Sequence, residues 1–379
     1  MKVVHVISSI SRHLGGPSRS VQGIVAALEG QGVESWLLSL APSDMPWFPG
    51  IRHSISLNRK RKIDFSLKND LRKTLEELRP DLVHIHGFWL WEIHQTAQIA
   101  RELSIPYVVA PRGMLSRWAL HQKWWKKLPA WWLYQRHDLK KARAFHATSE
   151  MEAAAVRECG FKQPVLISPN GVLVPERLPE RKHVGKPHIA LFLARLHPGK
   201  GLMSLAEAWG QIRPQGWKMR VVGFDGYGEK ARLAVRLKEL SIEDDWIFDD
   251  PMDDRVKWQA FVDADLFILP SVSENFGISI AEALYAGLPV ITTKGTPWKE
   301  LETEKCGWWV DLGVEPLEAA MRASMAMDDD ERKAMGRRGH ELIAKKYTWP
   351  SIGKHLKKDY HSIILKNTYS ERHEEHDHV

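Results

Sequence analysis

Four charged side chains flank two glycine turns in the second half of this 379-residue chain. Arg195 and Lys200 bracket Pro198-Gly199-Lys200-Gly201, and Glu274 and Glu282 stand on either side of Gly277. Two cations close to a pyrophosphate neutralise its charge while it is bound and as it leaves. A glycine turn that opens a helix, here Asn275-Phe276-Gly277-Ile278, aims unpaired backbone N–H groups and the positive end of the helix dipole at an anion. A carboxylate repels phosphate but accepts hydrogen bonds from sugar hydroxyls. The combination describes a nucleotide-sugar ligand, with Arg195, Lys200 and the Gly277–Ile278 helix start on the diphosphate and the glutamates on the sugars. The plainer alternative is a buried strand-to-helix connection with two solvated glutamates and a basic surface turn. The Lys200 turn is not a P-loop, since no GKS/T follows the full glycine spacing.

Other candidates sit at strand ends. Gly15-Gly16-Pro17 enters a helix and suits close approach to a phosphate or a sugar. His86 lies at the C-terminal end of the strand Leu82 to Ile85, where ligands gather in open parallel sheets. It reads as an acceptor-side group or as a core histidine. Arg112 follows the strand Ile105 to Ala110 and suits an anionic acceptor group or a donor phosphate. Trp118, Trp124, Trp125, Trp131 and Trp132 alternate with Lys123, Lys126 and Lys127, a pattern of membrane interfaces or of a Trp-packed helix pair broken at Pro129. Arg59 to Lys62 reads as a solvated basic loop or as a contact for an anionic acceptor or membrane. Asp263-Ala-Asp265 spells a metal motif but immediately precedes a strand, so it reads as structural, with no essential metal expected.

The elements that position these groups alternate between strand and helix in both halves, which predicts an α/β chain of two doubly wound domains. A proline-rich, charged stretch from Pro175 to Pro187 reads as the linker. The expected domains are residues 1–175 on the acceptor side and 176–346 for the nucleotide-sugar. Residues 347–366 form a helix crossing back to the first domain, and 367–379 a charged, His-rich tail. The net charge of +7 favours anionic partners, yet no nucleic-acid-binding pattern occurs. Two distant cysteines, Cys159 and Cys306, fit a cytoplasmic address rather than a disulfide framework. The opening MKVVHVISSI reads as a strand rather than a signal peptide, and no apolar run is long enough to span a membrane.

Glu274-Asn-Phe-Gly, Glu282 and Ala-Leu-Tyr-Ala-Gly-Leu-Pro-Val resemble the E-x7-E signature of the GT4-type retaining glycosyltransferases with the GT-B fold. Pro169-Asn170-Gly171-Val172 and Gly223-Phe224-Asp225-Gly226 resemble further motifs of that family. The resemblance implies two Rossmann-like domains facing a cleft and no cofactor beyond the substrate UDP-sugar or GDP-sugar. It implies that Gly15 and Gly16 lie against donor phosphates and acceptor, and that Arg195 and Lys200 hold the diphosphate. Glu274 would grip the transferred sugar and Glu282 the ribose. Relatives carry His or Asp near the position of Arg112, so no role is copied onto it; the segment resembles a subgroup with a PRGML-type motif. The implied activity is metal-independent, retaining transfer of a hexose-type sugar to a growing bacterial surface polysaccharide or lipid-linked oligosaccharide. The site of action would be the cytoplasm, peripheral to the membrane. A nucleotide-sugar epimerase of the same architecture, or a non-catalytic sugar-binding protein at a membrane surface, are the other readings.

Overall fold

The computed structural model describes residues 1–11, 16–44, 47–58, 65–122, 124–183 and 185–374. Gly15, the basic run Arg59 to Lys62, Lys123 and the last five residues of the tail lie outside the described residues. The chain divides into two compact units, Met1–Gly171 with Trp349–Val379, and Val172–Thr348.

In the first unit seven parallel strands take the order β3-β2-β1-β4-β5-β6-β7. They are β1 Lys2–Ile7, β2 Glu34–Ser39, β3 His53–Ser56, β4 Leu82–His86, β5 Tyr107–Ala110, β6 Ala144–Ala147 and β7 Val165–Ile167. The central strands are near-continuous apolar runs because helices cover both faces of a parallel sheet. Val3, Val4, Val6, Leu82, Val83 and Val108 are all sealed from solvent. The same strands also bury His5, His84, His86 and His146.

The final helix, Trp349–Glu374, packs on the helix Gly16–Glu29. Gly353 lies where an added Cβ would come within 2.6 Å of the Ala27 carbonyl oxygen, and the Trp349 ring covers Gly171 and Gly23. Ile352, Leu356, Tyr360 and Ile363 complete a core with Val3, Ile24, Leu28 and Val108. This helix starts two residues later than the sequence suggests and continues through most of the expected tail.

The second unit holds six parallel strands in the order β10-β9-β8-β11-β12-β13. These are β8 His188–Leu193, β9 Trp217–Val222, β10 Trp246–Asp249, β11 Leu266–Leu269, β12 Val290–Thr293 and β13 Gly307–Val310. The proline-rich stretch expected as a linker lies in this unit. Val172 N–H donates to the Tyr347 carbonyl at 2.8 Å, so the second unit begins before the expected boundary at 176. Asp263 and Asp265 hold the stretch down. Asp263 Oδ1 accepts from the backbone N–H of Lys182 (2.6 Å) and of His183 (3.1 Å). Asp265 accepts from Arg181 Nη2 at 2.6 Å and from the Ile189 N–H at 2.8 Å.

The Trp-Lys stretch is helical in pieces: Arg117–His121, Trp124–Ala130, a π-helical turn Trp131–Gln135, then Arg136–Lys141. Pro129 has no N–H for an α-helical bond, and the wider turn follows directly after it. Trp131 packs inward, against Trp89 and Phe161. Trp124, Trp125, Leu128, Trp132 and Leu133 stand in solvent, Trp132 at 67% and Leu133 at 80% exposure. Lys126 stacks over Trp125 at 4.8 Å and Arg136 over Trp132 at 5.6 Å. Among the described residues no helix is long and apolar enough to cross a membrane.

Candidate active site

In the second unit three strand ends meet. After β8 the chain passes exposed Arg195 and enters a 3-10 turn, Pro198–Lys200, capped where His197 Nδ1 accepts from the Gly199 N–H at 3.0 Å. Gly201 follows with φ of 75°, its Cα facing the Pro270 carbonyl, so only glycine fits. After β11 the loop is bonded to both neighbours. Val272 N–H donates to the Gly199 carbonyl and Glu274 N–H to the Gly295 carbonyl, each at 2.9 Å. These bonds bring Lys200 to Glu274, and Lys200 Nζ donates directly to Glu274 Oε1. Ser271 Oγ donates to the same oxygen at 2.9 Å. Burial and, after it, the charges of Arg195 and Lys200 hold His197 below its ordinary pKa.

Gly277, with φ of 82°, turns the chain into the helix Ile278–Tyr285. Its N-cap, Gly277, brings no side chain to the helix start. At the Gly223–Gly226 turn a side chain fills that place. There Asp225 accepts from the backbone N–H groups of Tyr227, Glu229 and Lys230 at 3.0–3.1 Å, occupying the start of the helix Glu229–Glu239 with a carboxylate. These bonds hold its pKa below the usual range.

Two expected donor-side residues turn inward. The Phe276 ring is buried against Trp298 and Tyr347, and its carbonyl accepts from Trp298 Nε1 at 2.5 Å. Its side chain and its carbonyl both brace the loop from inside. Glu282 is buried too and pairs with Lys257 at 2.6 Å, so it is not a solvated glutamate. Asn275 is half-buried in the same loop.

In the first unit Gly16 opens the helix Gly16–Glu29, with Ser11 and Ser18 bonded to each other across the preceding loop. His86 and Arg112 come together at the ends of β4 and β5. Arg112 Nη2 donates to His86 Nδ1 at 2.8 Å and Nη1 to Asn170 Oδ1 at 3.1 Å. Arg112 is half-buried with φ of 55°, unusual for a non-glycine residue, and burial draws its guanidinium down to about 10. Behind it lies a histidine cluster that no sequence motif announces. His5 Nδ1 lies 3.1 Å from His86 Nε2, His84 Nε2 3.3 Å from His146 Nδ1, and Tyr360 Oη 2.6 Å from His84 Nδ1. Burial, with the neighbouring charges second, takes His5 and His146 to about 3, and His84 and His86 well below the ordinary histidine value. The signal for the cluster is strand register, which pairs His5 with His84 and Ile7 with His86.

Two half-chain Rossmann-like units, each built on a parallel sheet, define the GT-B fold class. The family profiles agree with that class. "Glycosyltransferase Family 4" matches residues 14–174 and "Glycosyl transferases group 1" residues 175–342. The chain belongs to the GT4-type glycosyltransferases. It is 29% identical over 222 residues to the D-inositol 3-phosphate glycosyltransferase of Corynebacterium glutamicum (strain R), covering 55% of this chain and 52% of that protein. It is 27% identical over 174 residues to the lipopolysaccharide 1,2-N-acetylglucosaminetransferase of Salmonella typhimurium, covering 43% and 45%. Against the first of the curated relatives it matches, the chain spans 24% to 52% of their length. Among solved structures, Anabaena HepE in complex with UDP and glucose superposes with a TM-score of 0.77 at 17% identity, covering 96% of this chain and all of that one.

Proposed function

We propose that this glycosyltransferase moves a hexose-type sugar, with retention and without a metal ion, from a UDP- or GDP-sugar to a growing bacterial surface polysaccharide or lipid-linked oligosaccharide. The observation that carries the reading is the Lys200–Glu274 pair beside the glycine-opened Ile278 helix start. A carboxylate next to a diphosphate is unfavourable unless a cation offsets it, and Lys200 does so. Glu274 then accepts from hydroxyls of the transferred sugar, while Lys200, Arg195 and the helix N–H groups hold the diphosphate. As the bond from the anomeric carbon to the phosphate oxygen breaks, charge builds on that oxygen, and the same donors stabilise it. The acceptor oxygen bonds the anomeric carbon from the same face, and its proton passes to the departing phosphate. Glu282, fixed by Lys257, faces the ribose.

The acceptor belongs to the first unit, at His86, Arg112 and the Gly15-Gly16 loop. The exposed Trp124–Leu133 face with its basic flank suits the surface of an anionic membrane, and a cytoplasmic protein lying there would meet a lipid-linked acceptor. The names of the Salmonella and Corynebacterium relatives, one acting on lipopolysaccharide and one on a phosphorylated polyol, support this acceptor range. The test is UDP-sugar and GDP-sugar turnover by the full chain on membrane extracts, with the anomeric configuration of the product read by NMR. An α-linked product from an α-configured donor is expected. Inversion, or epimerised donor without any acceptor, overturns the reading.

A further inference from the structure

We propose that His86 and His5 are positioning residues that hold Arg112 as an oxyanion-recognising group, so that the ligand at this end of the first unit's sheet carries a phosphate or carboxylate. The inference rests on the glycosyltransferase reading and adds the chemistry of the group recognised there.

Half-buried Arg112 differs from the buried cations of the second unit. Lys257 has Glu282 at 2.6 Å, and buried Arg332 has Asp329 at 2.6 Å. Arg112 has no carboxylate within ion-pair distance among the described residues. Its two Nη groups donate to neutral acceptors, His86 and Asn170, and its buried Nε has no acceptor. The carboxylate that acts on it from farther off, Glu152, is already engaged. Glu152 accepts from the N–H of Gly113 (2.6 Å), the N–H of Thr148 (2.8 Å) and Thr148 Oγ1 (3.0 Å). A desolvated cation without a counter-charge is unfavourable, and a bound oxyanion removes that cost.

The histidines behind Arg112 are directed by their ends. Arginine only donates, so His86 Nδ1 accepts, His86 Nε2 carries the proton and donates to His5 Nδ1, and His5 is protonated on Nε2. A carbonyl only accepts, so His146 Nε2 donates to the Ser168 carbonyl at 2.8 Å. His84 Nε2 then donates to His146 Nδ1, and Tyr360 Oη donates to His84 Nδ1. All four rings are neutral Nε2–H tautomers. His5, His84 and His86 lie close enough together to suggest a metal site. The two relays occupy every ring nitrogen of the four histidines except His5 Nε2, and that atom bears a proton. The trio is therefore hydrogen-bonded support and not a ligand set.

The tautomers separate two conservative variants. In His86→Asn the amide oxygen stands in for Nδ1 and keeps the bond to Arg112, whereas His86→Gln replaces the Nε2 end and loses it. Titration calorimetry on the full chain reads UDP alone, then inorganic phosphate at saturating UDP. Wild type binds phosphate in the second arm if the oxyanion belongs to the acceptor. If it belongs to the donor diphosphate, Arg112→Gln weakens UDP itself. In whichever arm responds, Arg112→Gln and His86→Gln lose about tenfold or more and His86→Asn stays within about threefold. No effect of Arg112→Gln in either arm, or equal losses in the two His86 variants, overturns the proposal. Nitrogen-15 NMR of wild type guards against variants that fail to fold: a His86 protonated on Nδ1 also overturns it. Lys200→Ala reports separately on the donor reading, because it alters UDP binding whatever Arg112 does.

Discussion

The two units handle buried charge in opposite ways. In the second, each buried or half-buried cation that reaches the candidate site meets a carboxylate: Lys200 with Glu274, Lys257 with Glu282. In the first, Arg112 is surrounded by neutral rings and an amide, and four histidines are kept uncharged beside it. Paired charges make a site whose shape is set before ligand arrives. An unpaired, rigidly held cation makes a site that is electrostatically incomplete until an anion enters.

The largest expected effect tests the uncharged histidines. Their native pKa values lie below the unfolded value of about 6.5, so the unfolded chain binds more protons as pH falls. Their stabilisation is whole above about pH 6.5 and is lost as pH falls, down to about 3 for His5 and His146. Four rings that stay neutral in the native chain and take up protons in the unfolded one all lower stability in the same direction. Urea midpoints across pH 7 to 5 should fall steeply; a flat profile would mean the rings are protonated in the native state.

Next comes the buried pair of the second unit. Lys257→Ala leaves Glu282 buried without its partner and should cost about 3–5 kcal/mol in urea unfolding. Lys257→Met with Glu282→Leu should recover most of it. If the double variant is no better than the single, the pair is not an isolated electrostatic unit.

Smaller, in energy, is the catalytic contrast. Lys200→Ala and Glu274→Ala should each lower transfer about 10²–10³-fold, as removal of a charge-stabilising group does, with little change in folding stability. Unchanged rates in both would remove them from the site. The smallest stability effect belongs to the exposed aromatic face. Trp132→Ser with Leu133→Ser should stay within about 0.5 kcal/mol of wild type while reducing sedimentation with anionic vesicles. Equal sedimentation would take this face out of any membrane role.

Much of the frame was legible because buried parallel strands are written as near-continuous apolar runs. VVHVI, YVVA and LFIL needed no context. Of the four edge strands, β7 and β10 were legible and β3 and β13 were not. HSIS alternates between half-buried and exposed, and GWWV is half-buried at every position, so neither has the sealed burial of the strands they flank. Arg195, Lys200, Glu274 and Glu282 could be named from spacing and resemblance. That Lys200 bonds Glu274, or that Glu282 is held by Lys257, required the loop bonds and the helix packing. His5, His84 and His146 stayed hidden because one histidine in an apolar strand looks like any other. The register of β1 on β4, with β6 one strand beyond β5, turns separate rings into a relay.

The return of Trp349–Glu374 to the first unit has a consequence for synthesis on the ribosome. The nascent first half cannot close its core, since Ile352, Leu356 and Tyr360 emerge only after all of Val172–Thr348 has been translated. At 5–20 residues per second that interval lasts about ten seconds or more, with Ile24 and Leu28 uncovered on a tethered, unfinished sheet. Chaperone dependence during translation should therefore be concentrated on the N-terminal half, and truncation before Trp349 should yield an aggregating product even though the second unit is whole.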